Sequence, residues 1–554
     1  MSIFSREKLS RWRLSKLFFY IFLFALPFQT GKGLFTDKSF YLDYLSFYNT
    51  WHLYLTDLLF LCVIIVWVLE KGLFSCLPTG QAGEKGGPPL TLRTTAKSVI
   101  ERVSTDSTYL FAVAFWLILA TSLLFSRENS LGLYGLVKIT EFMLLFVYVR
   151  EEVDFLPPHQ KPAGKSEGET AQVWLGGERE KMVVFWLILV SSSFQAGLAI
   201  WQYLNQYSAG HRYLGEEFLR PGLSGLAEFP SNGVVNPAIA QFLPNLSTIS
   251  DGFSLNMRAY GTFPHPNVLA GFLFFGILAS LYLLYFSPPH STPPHSWGRK
   301  GGGVHVKTLV LSLSLILLTT GQVVTFSRLA WVVTGLATLA LAVLVVWRVR
   351  NRDFLDMKTG RLAQAGSYRP VALGVILLSL LLSLALNWFL FGQQIQDRLG
   401  LGEQFAEYTS DESFVDRAKF NNVAVEMIKN KPLFGVGLRN FVVAMDDYAE
   451  ERLLPYLHQP AHNIYLLIAA ESGILALLIF LFILFNIVRH VLMERGELVS
   501  RIALCLVFFG FLAIGFFDHY LWTIQQGQLM FWVVLGLLAT GSKKKGQLAS
   551  EPAQ

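Results

Sequence analysis

The sequence predicts an all-α, polytopic membrane protein with about twelve membrane-spanning helices, both termini cytoplasmic and two long extracytoplasmic loops. Three observations carry this. Hydrophobic residues make up 53% of the 554, charged residues 15%, and mean hydropathy is +0.44, whereas a soluble chain carries about 25% charge. The missing charge is absent from long apolar runs and concentrated between them, as a bilayer requires of segments that cross it. Lys and Arg, finally, favour one set of alternate loops. A soluble multidomain chain would need many wholly buried helices with almost no exposed face, and that class is set aside.

The apolar runs lie near 17–29, 53–70, 108–125, 131–149, 182–204, 266–286, 308–325, 329–347, 370–391, 463–487, 502–517 and 529–541. Most approach the length that a hydrocarbon core of about 30 Å requires, and the first and last two are short. With the N-terminus inside, the cytoplasmic side holds Arg6, Lys8, Arg11, Arg13 and Lys16, then loops 71–102, 150–181, 299–307, 348–369 and 489–501, and finally 543–545. That arrangement places roughly 30 Lys and Arg inside against roughly 14 outside, the bias of the positive-inside rule. The chain then divides into helices 1–5 over 1–205, an outer loop at 206–264, helices 6–9 over 265–391, a larger outer loop at 392–461, and helices 10–12 with a cytoplasmic tail over 462–554. The first run is followed by no small-residue cleavage pattern, so it is expected to be a retained helix.

Net charge is +6, but the basic residues fall at helix ends on one side, where topology accounts for them without nucleic acid. Cys62, Cys76 and Cys505 lie in expected helices or on the cytoplasmic side, so neither a disulfide framework nor a cysteine metal site is indicated. Segments 76–90, 156–170 and 287–303 are rich in Pro, Gly and Ser and read as cytoplasmic spacers. His290 and His295 lie in one of them, and two histidines without a third ligand make a poor metal site. There is no Walker-type Gly-rich loop to support ATP-driven chemistry, and no obvious internal repeat of the kind many transporters carry.

The outer loops 206–264 and 392–461 differ from the spacers in containing apolar and aromatic residues, and long loops of that kind are functional or disordered. Within the second, Phe420, Val423, Ala424, Met427 and Ile428 recur at helical spacing and stop before Pro432 and a Gly435-Val436-Gly437 turn. A short amphipathic helix is expected, lying along the outer interface or packing on the bundle.

Four strings at the outer ends of helices resemble one family. RAYGTFPHPNVLAGFL (258–273) is similar to the Arg-x-x-Gly-Thr-Phe-x-His-Pro-Asn segment of the O-antigen ligase and polymerase superfamily. TFSRLAWV (325–332) resembles its Ser-Arg-x-x-Trp turn. The stretch from Arg417 to Phe441 resembles its Arg…Pro-Leu-x-Gly-Val-Gly-x-x-Asn-Phe region, and AHNIYLLIAAESGILAL (461–477) its His-Asn-x-Tyr-Leu…Glu-x-Gly segment. The motifs cover about 255–487, and the N-terminal third carries none. The resemblance implies transfer of a glycan from an undecaprenyl-diphosphate carrier to an acceptor hydroxyl, on the outer side of the cytoplasmic membrane. The acceptor would be a lipid A core sugar, another glycan or a protein Ser/Thr. An O-antigen ligase is the first expectation, with a polymerase or a protein O-oligosaccharyltransferase as alternatives.

The residue chemistry suits such a reaction. A lipid-anchored diphosphate carries several negative charges, and the planar fork of Arg matches phosphate oxygens while staying charged in a dry site. By resemblance Arg258 and Arg328 are the diphosphate-binding arginines, although either alone could be a snorkelling interfacial anchor. Arg328 sits in a very short connection on the face that the positive-inside rule disfavours. Arg417 either adds a third positive charge or pairs with Asp416 or Asp411. His462, opening a helix after Pro460, corresponds to the family's proposed general base; an imidazole with a pKa of about 6.5 can take a proton from an acceptor hydroxyl. Its competing role is a cap or packing residue. His265, Asn267, Asn463 and Glu471 are the substrate-binding candidates, with a helix-start role competing for His265 and an Arg or backbone-amide partner competing for Glu471. Asp518 and His519 read first as a polar turn beside an aromatic belt, and second as part of an acceptor cleft. No Asp-x-Asp occurs, which favours a lipid-linked donor and a metal-independent, cofactor-free reaction, inverting if the displacement is single. A transporter of lipid-linked or anionic substrates is the reading from a different class; it predicts broken polar helices meeting at the midplane.

Overall fold

A computed structural model describes residues 13–34, 40–41, 44–74, 107–153, 167–222, 226–230, 255–286, 302–359, 369–401, 411–451, 458–493 and 498–540. The 76–90 spacer, Cys76, His290, His295, most of 156–170 and 287–303, and both ends of the chain lie outside them.

Every apolar run falls on a helix. In order these are α1 (Leu14–Ala25), α2 (Leu55–Phe74), α3 (Ser107–Ser122), α4 (Asn129–Glu152), α5 (Glu167–Asn205), α6 (Pro266–Phe286), α7 (Gly302–Val323), α8 (Arg328–Thr359) and α9 (Arg369–Leu399). Helix α10 (Asp411–Asn430), within the second long loop, follows, then α11 (Ile464–Met493), α12 (Leu498–Gly515) and α13 (Gln525–Ala539). Among the described residues eight helices, α3 to α9 and α11, are long and apolar enough to cross a membrane; α1 and α12 are apolar but shorter. Among the described residues three two-stranded antiparallel ribbons occur in the connections, including Gly31–Leu34 with Trp51–Tyr54 and Glu228–Pro230 with Leu255–Met257. Helix α9 runs to Leu399, but its backbone leaves helical geometry at Phe391 (φ −129°, ψ 16°), where the apolar run was expected to end. The boundary that differs from expectation is that of α5, which begins at Glu167, inside a segment read as spacer. Once a buried run has nucleated a helix, each further residue adds one hydrogen bond, so flanking helix formers are drawn in.

Helix α6 is apolar around its whole circumference, and it is the helix buried along its full candidate span. It stands among α5, α7, α9 and α12, as an all-round hydrophobic helix must. Successive helices alternate in direction, so the described parts of connections 26–54, 123–128, 206–265, 324–327, 400–463 and 516–524 gather at one end. Thr262 Oγ1 donates to Pro27 O (2.8 Å), Ala259 N to Val324 O (3.0 Å), Leu438 N to Ser122 Oγ (3.2 Å) and Gln525 Nε2 to Asp57 Oδ1 (2.5 Å).

Helix α10 buries Phe420, Val423, Ala424 and Met427 and packs on α11, so its apolar face is spent on the bundle. Helix α11 is not the uninterrupted helix its apolar pattern suggests. At Gly473 the backbone turns to φ 88°, ψ 163°, a region open essentially to glycine. The break frees backbone groups that need partners, and the turn after α10 supplies them. Val436 N donates to Ala470 O (2.9 Å), Gly437 N to Glu471 O (2.9 Å) and Ile474 N to Pro432 O (2.8 Å). A Cβ on Gly473 would lie 1.9 Å from Leu433 O, and one on Gly435 2.4 Å from Ala470 O. The Pro-Leu-x-Gly-Val-Gly and Glu-x-Gly strings are therefore two halves of one interlock.

Candidate active site

The site begins at the turn between α7 and α8. Phe326 has φ 48°, uncommon for an aromatic residue, and its ring is held against Phe229 (centroids 4.4 Å apart) and Tyr203 (5.1 Å). Two of the turn's carbonyls hold arginines. Thr325 O accepts from Arg258 Nε (2.7 Å), and Phe326 O accepts from Arg398 Nε (3.1 Å). Arg328 opens α8 immediately after, and Arg417 comes from α10. Four guanidinium groups from separate parts of the chain thus line one cavity of about 650 Å³.

Arg258 is reached through α5. Gln195 and Gln202, two turns apart on that helix, clamp the Gly-Thr of the first motif. Gln202 Oε1 accepts from Gly261 N (2.7 Å) while its Nε2 donates to Gly261 O (2.8 Å). Gln195 Oε1 accepts from Thr262 N (2.9 Å). Beyond Arg258 a polar chain continues: its Nη2 donates to Asn267 Oδ1 (2.8 Å), and Asn267 Nδ2 donates to Asp518 Oδ2 (2.7 Å).

Two rings contact His462. Phe420 stacks on it (5.6 Å, 18°), and His519 meets it edge-on (4.8 Å, 79°). No described residue hydrogen-bonds its Nδ1. His519 is fixed in turn through its Nδ1 and Thr523 Oγ1, 2.7 Å apart. Burial pushes the His462 pKa down, His519 adds to this and Asp518 opposes it, so the imidazole is neutral at physiological pH and free to accept a proton. His265 is held down to about 3 by burial and then by Arg258. Burial lowers Arg258 to about 10, with Arg417 and Arg328 repelling it, which still leaves it charged. For Asp518, burial works upward, but His519, His462, His265 and the Asn267 bond outweigh it and hold the carboxyl below its ordinary range. Among the described residues no group of three or more His, Cys, Asp or Glu is arranged to hold a metal ion.

Six of the eight residues nominated from sequence line this cavity: His462, Arg258, Arg328, Arg417, His265 and Asn267. Asn463 and Glu471 do not. Asn463 caps α11, its Oδ1 accepting from Tyr465 N (2.9 Å) and Leu466 N (3.0 Å). Glu471 is buried behind the interlock, where Trp522 Nε1 donates to it (3.1 Å) and the backbone of Arg439 and Phe441 supplies further bonds. Its partners are thus an indole and backbone amides, which satisfy a carboxylate within the bundle. Of the acidic neighbours considered for Arg417, Asp416 pairs with Lys419 (3.6 Å), and the Asp411 side chain lies outside the described residues.

Arg398, Asp518 and His519 line the cavity without having been nominated as site residues from sequence. Asp518 and His519, read first as a polar turn, are cavity walls; their apolar surroundings disguised two buried polar groups. Arg398 could have been found, because a cation at the end of an apolar helix expected to face outward runs against the same rule that drew attention to Arg328.

Residues 313–481 match the family model described as O-antigen ligase. That region includes Arg328, Arg398, Arg417 and His462, while Arg258 and Asp518 flank it on either side. A search of curated proteins found no match. Its apolar helices make the chain a multi-pass, mostly helical membrane protein, within which residues 313–481 are similar to the O-antigen ligase family.

Proposed function

We propose that this protein transfers a glycan from an undecaprenyl-diphosphate carrier to an acceptor hydroxyl on the outer side of the cytoplasmic membrane, as an O-antigen ligase does. The observation that carries this reading is the convergence of four arginines and a neutral, buried histidine on one cavity at helix ends. The arginines bind the diphosphate, and His462 takes the acceptor proton. The acceptor oxygen then forms its bond to the anomeric carbon as the bond from that carbon to the diphosphate oxygen breaks. One displacement inverts the anomeric centre. Guanidinium groups held in place before the reaction stabilise charge as it grows on the leaving oxygen. The excess of Lys and Arg in the loops at the other end of the bundle supports a cytoplasmic placement of that end and of both termini.

A transporter would carry its polar groups at mid-depth in broken helices. Here the break in α11 is filled by backbone from the 432–437 turn, and the arginines stand at helix ends, which favours the transferase. The test is transfer in proteoliposomes containing an undecaprenyl-diphosphate oligosaccharide, with core-sugar, glycan and peptide acceptors. His462→Ala is expected to lose about 100-fold to 10,000-fold in rate while the protein remains folded. Full activity in that variant would remove the base. Movement of the intact lipid-linked glycan between leaflets, without transfer to any acceptor, would establish a transporter instead.

A further inference from the structure

The cavity contains an aromatic row that the chemistry above does not use. Phe47 meets Tyr48 (5.7 Å, 85°), Tyr48 meets His519 (5.5 Å, 81°), and His519 meets His462. Phe47 and Tyr48 sit in the connection between α1 and α2, far from every motif, yet both line the cavity and both are only half-buried. Core aromatics in this protein, such as Phe142 and Phe272, are sealed completely. A polar flank accompanies the row. Asp518 gives one oxygen to Asn267 (2.7 Å), while the other, among the described residues, receives a long bond from the Tyr520 amide (3.4 Å) and retains acceptor capacity.

Phe420, one turn after Arg417 on α10, stacks on His462, and His519 meets the same ring edge-on with Tyr48 beyond it. The row therefore ends at the imidazole that receives the acceptor's proton, so whatever presents a hydroxyl to His462 lies along it. Flat ring faces beside a carboxylate suit a pyranose, whose C–H face packs on an aromatic ring while its hydroxyls donate to the acid. A Ser or Thr side chain offers a single hydroxyl and no such face.

We propose that Tyr48, flanked by Phe47 and Asp518, forms a subsite for a sugar ring of the acceptor, so that this enzyme's acceptor is a saccharide. The proposal rests on the transferase reading for its purpose, but binding can be measured separately. Full-length protein in lipid nanodiscs would be titrated with free hexose- and heptose-containing core oligosaccharides and with a Ser/Thr peptide. Wild type would be compared with Tyr48→Phe, which keeps the ring face, and Tyr48→Leu, which keeps apolar bulk without it. Tyr48→Phe is expected to bind within about twofold of wild type, and Tyr48→Leu to bind about threefold to tenfold more weakly. In the transfer assay Tyr48→Leu raises the acceptor KM and leaves the donor KM unchanged. Equal saccharide affinity in Tyr48→Leu and wild type, a rise in donor KM alone, or binding of the peptide but no saccharide would each overturn the subsite. Saccharide binding that needs the Tyr48 ring, in a protein that transfers nothing, would keep the subsite and sink the transferase.

Discussion

Replacing Gly473 by Ala separates two accounts of α11 by the sign of the effect. If 464–493 were one regular helix, Ala would stabilise it by about 1 kcal/mol relative to Gly. The structure requires the reverse. At φ 88°, a side chain brings roughly 1–3 kcal/mol of backbone strain. The new Cβ would also overlap Leu433 O at 1.9 Å, so the 432–437 turn must withdraw. Three backbone hydrogen bonds cross that junction, each contributing about 0.5–1.5 kcal/mol net. The expected destabilisation is roughly 3–7 kcal/mol, large for a change of one methyl group. Thermal unfolding of the purified protein in detergent, with hydrogen exchange measured over 432–441, would read both parts. A variant that melts at or above the wild-type temperature, with amide protection intact over those residues, would refute the interlock.

Two other expectations follow from the cavity. Because burial lowers the His462 pKa, kcat/KM is expected to stay flat through neutrality and to fall only well below the ordinary imidazole value of about 6.5. The sign is fixed, since a proton on His462 removes the base as pH drops. Bound diphosphate favours the imidazolium, so the acid limb of kcat should lie at higher pH than that of kcat/KM, and a limb common to both would contradict the assignment. Arg398→Ala is expected to lower kcat by about 100-fold to 1,000-fold. Arg398→Lys should recover only part of this, because an ammonium cannot hold the Phe326 carbonyl and present a fork to the substrate at once; acceptor KM, measured at saturating donor, should not move.

Much of the bundle was legible because a bilayer imposes a one-dimensional code. Each apolar run became a helix, and basic loops marked one end. Arg258, Arg328 and His462 could be nominated because they stand beside motif residues at helix ends. The break at Gly473 was invisible, since periodicity in a wholly apolar segment does not distinguish a straight helix from one interrupted by an inserted turn. For Glu471 a backbone-amide partner was among the expectations, but which groups it meets, the backbone of Arg439 and Phe441 and the Trp522 indole, is decided by the tertiary fold. Tyr48 had no local signal at all. Its role depends on packing beside His519, more than four hundred residues away in sequence.

That separation has a consequence for biogenesis. Helices enter the membrane from the N-terminus onward, yet the cavity wall is completed by the 516–524 connection, which carries Asp518 and His519. The same hairpin places Gln525 on Asp57, whose other carboxylate oxygen pairs with the buried Lys138. Until the last pair of helices arrives, Asn267 has no Asp518 to bridge to, and the ion pair at Asp57 lacks its amide partner. A partly inserted nascent chain therefore has neither a finished cavity nor a settled bundle. On the proposed function, transfer cannot begin before the 516–524 connection has docked, so the reaction itself would report that this part of the bundle is in place.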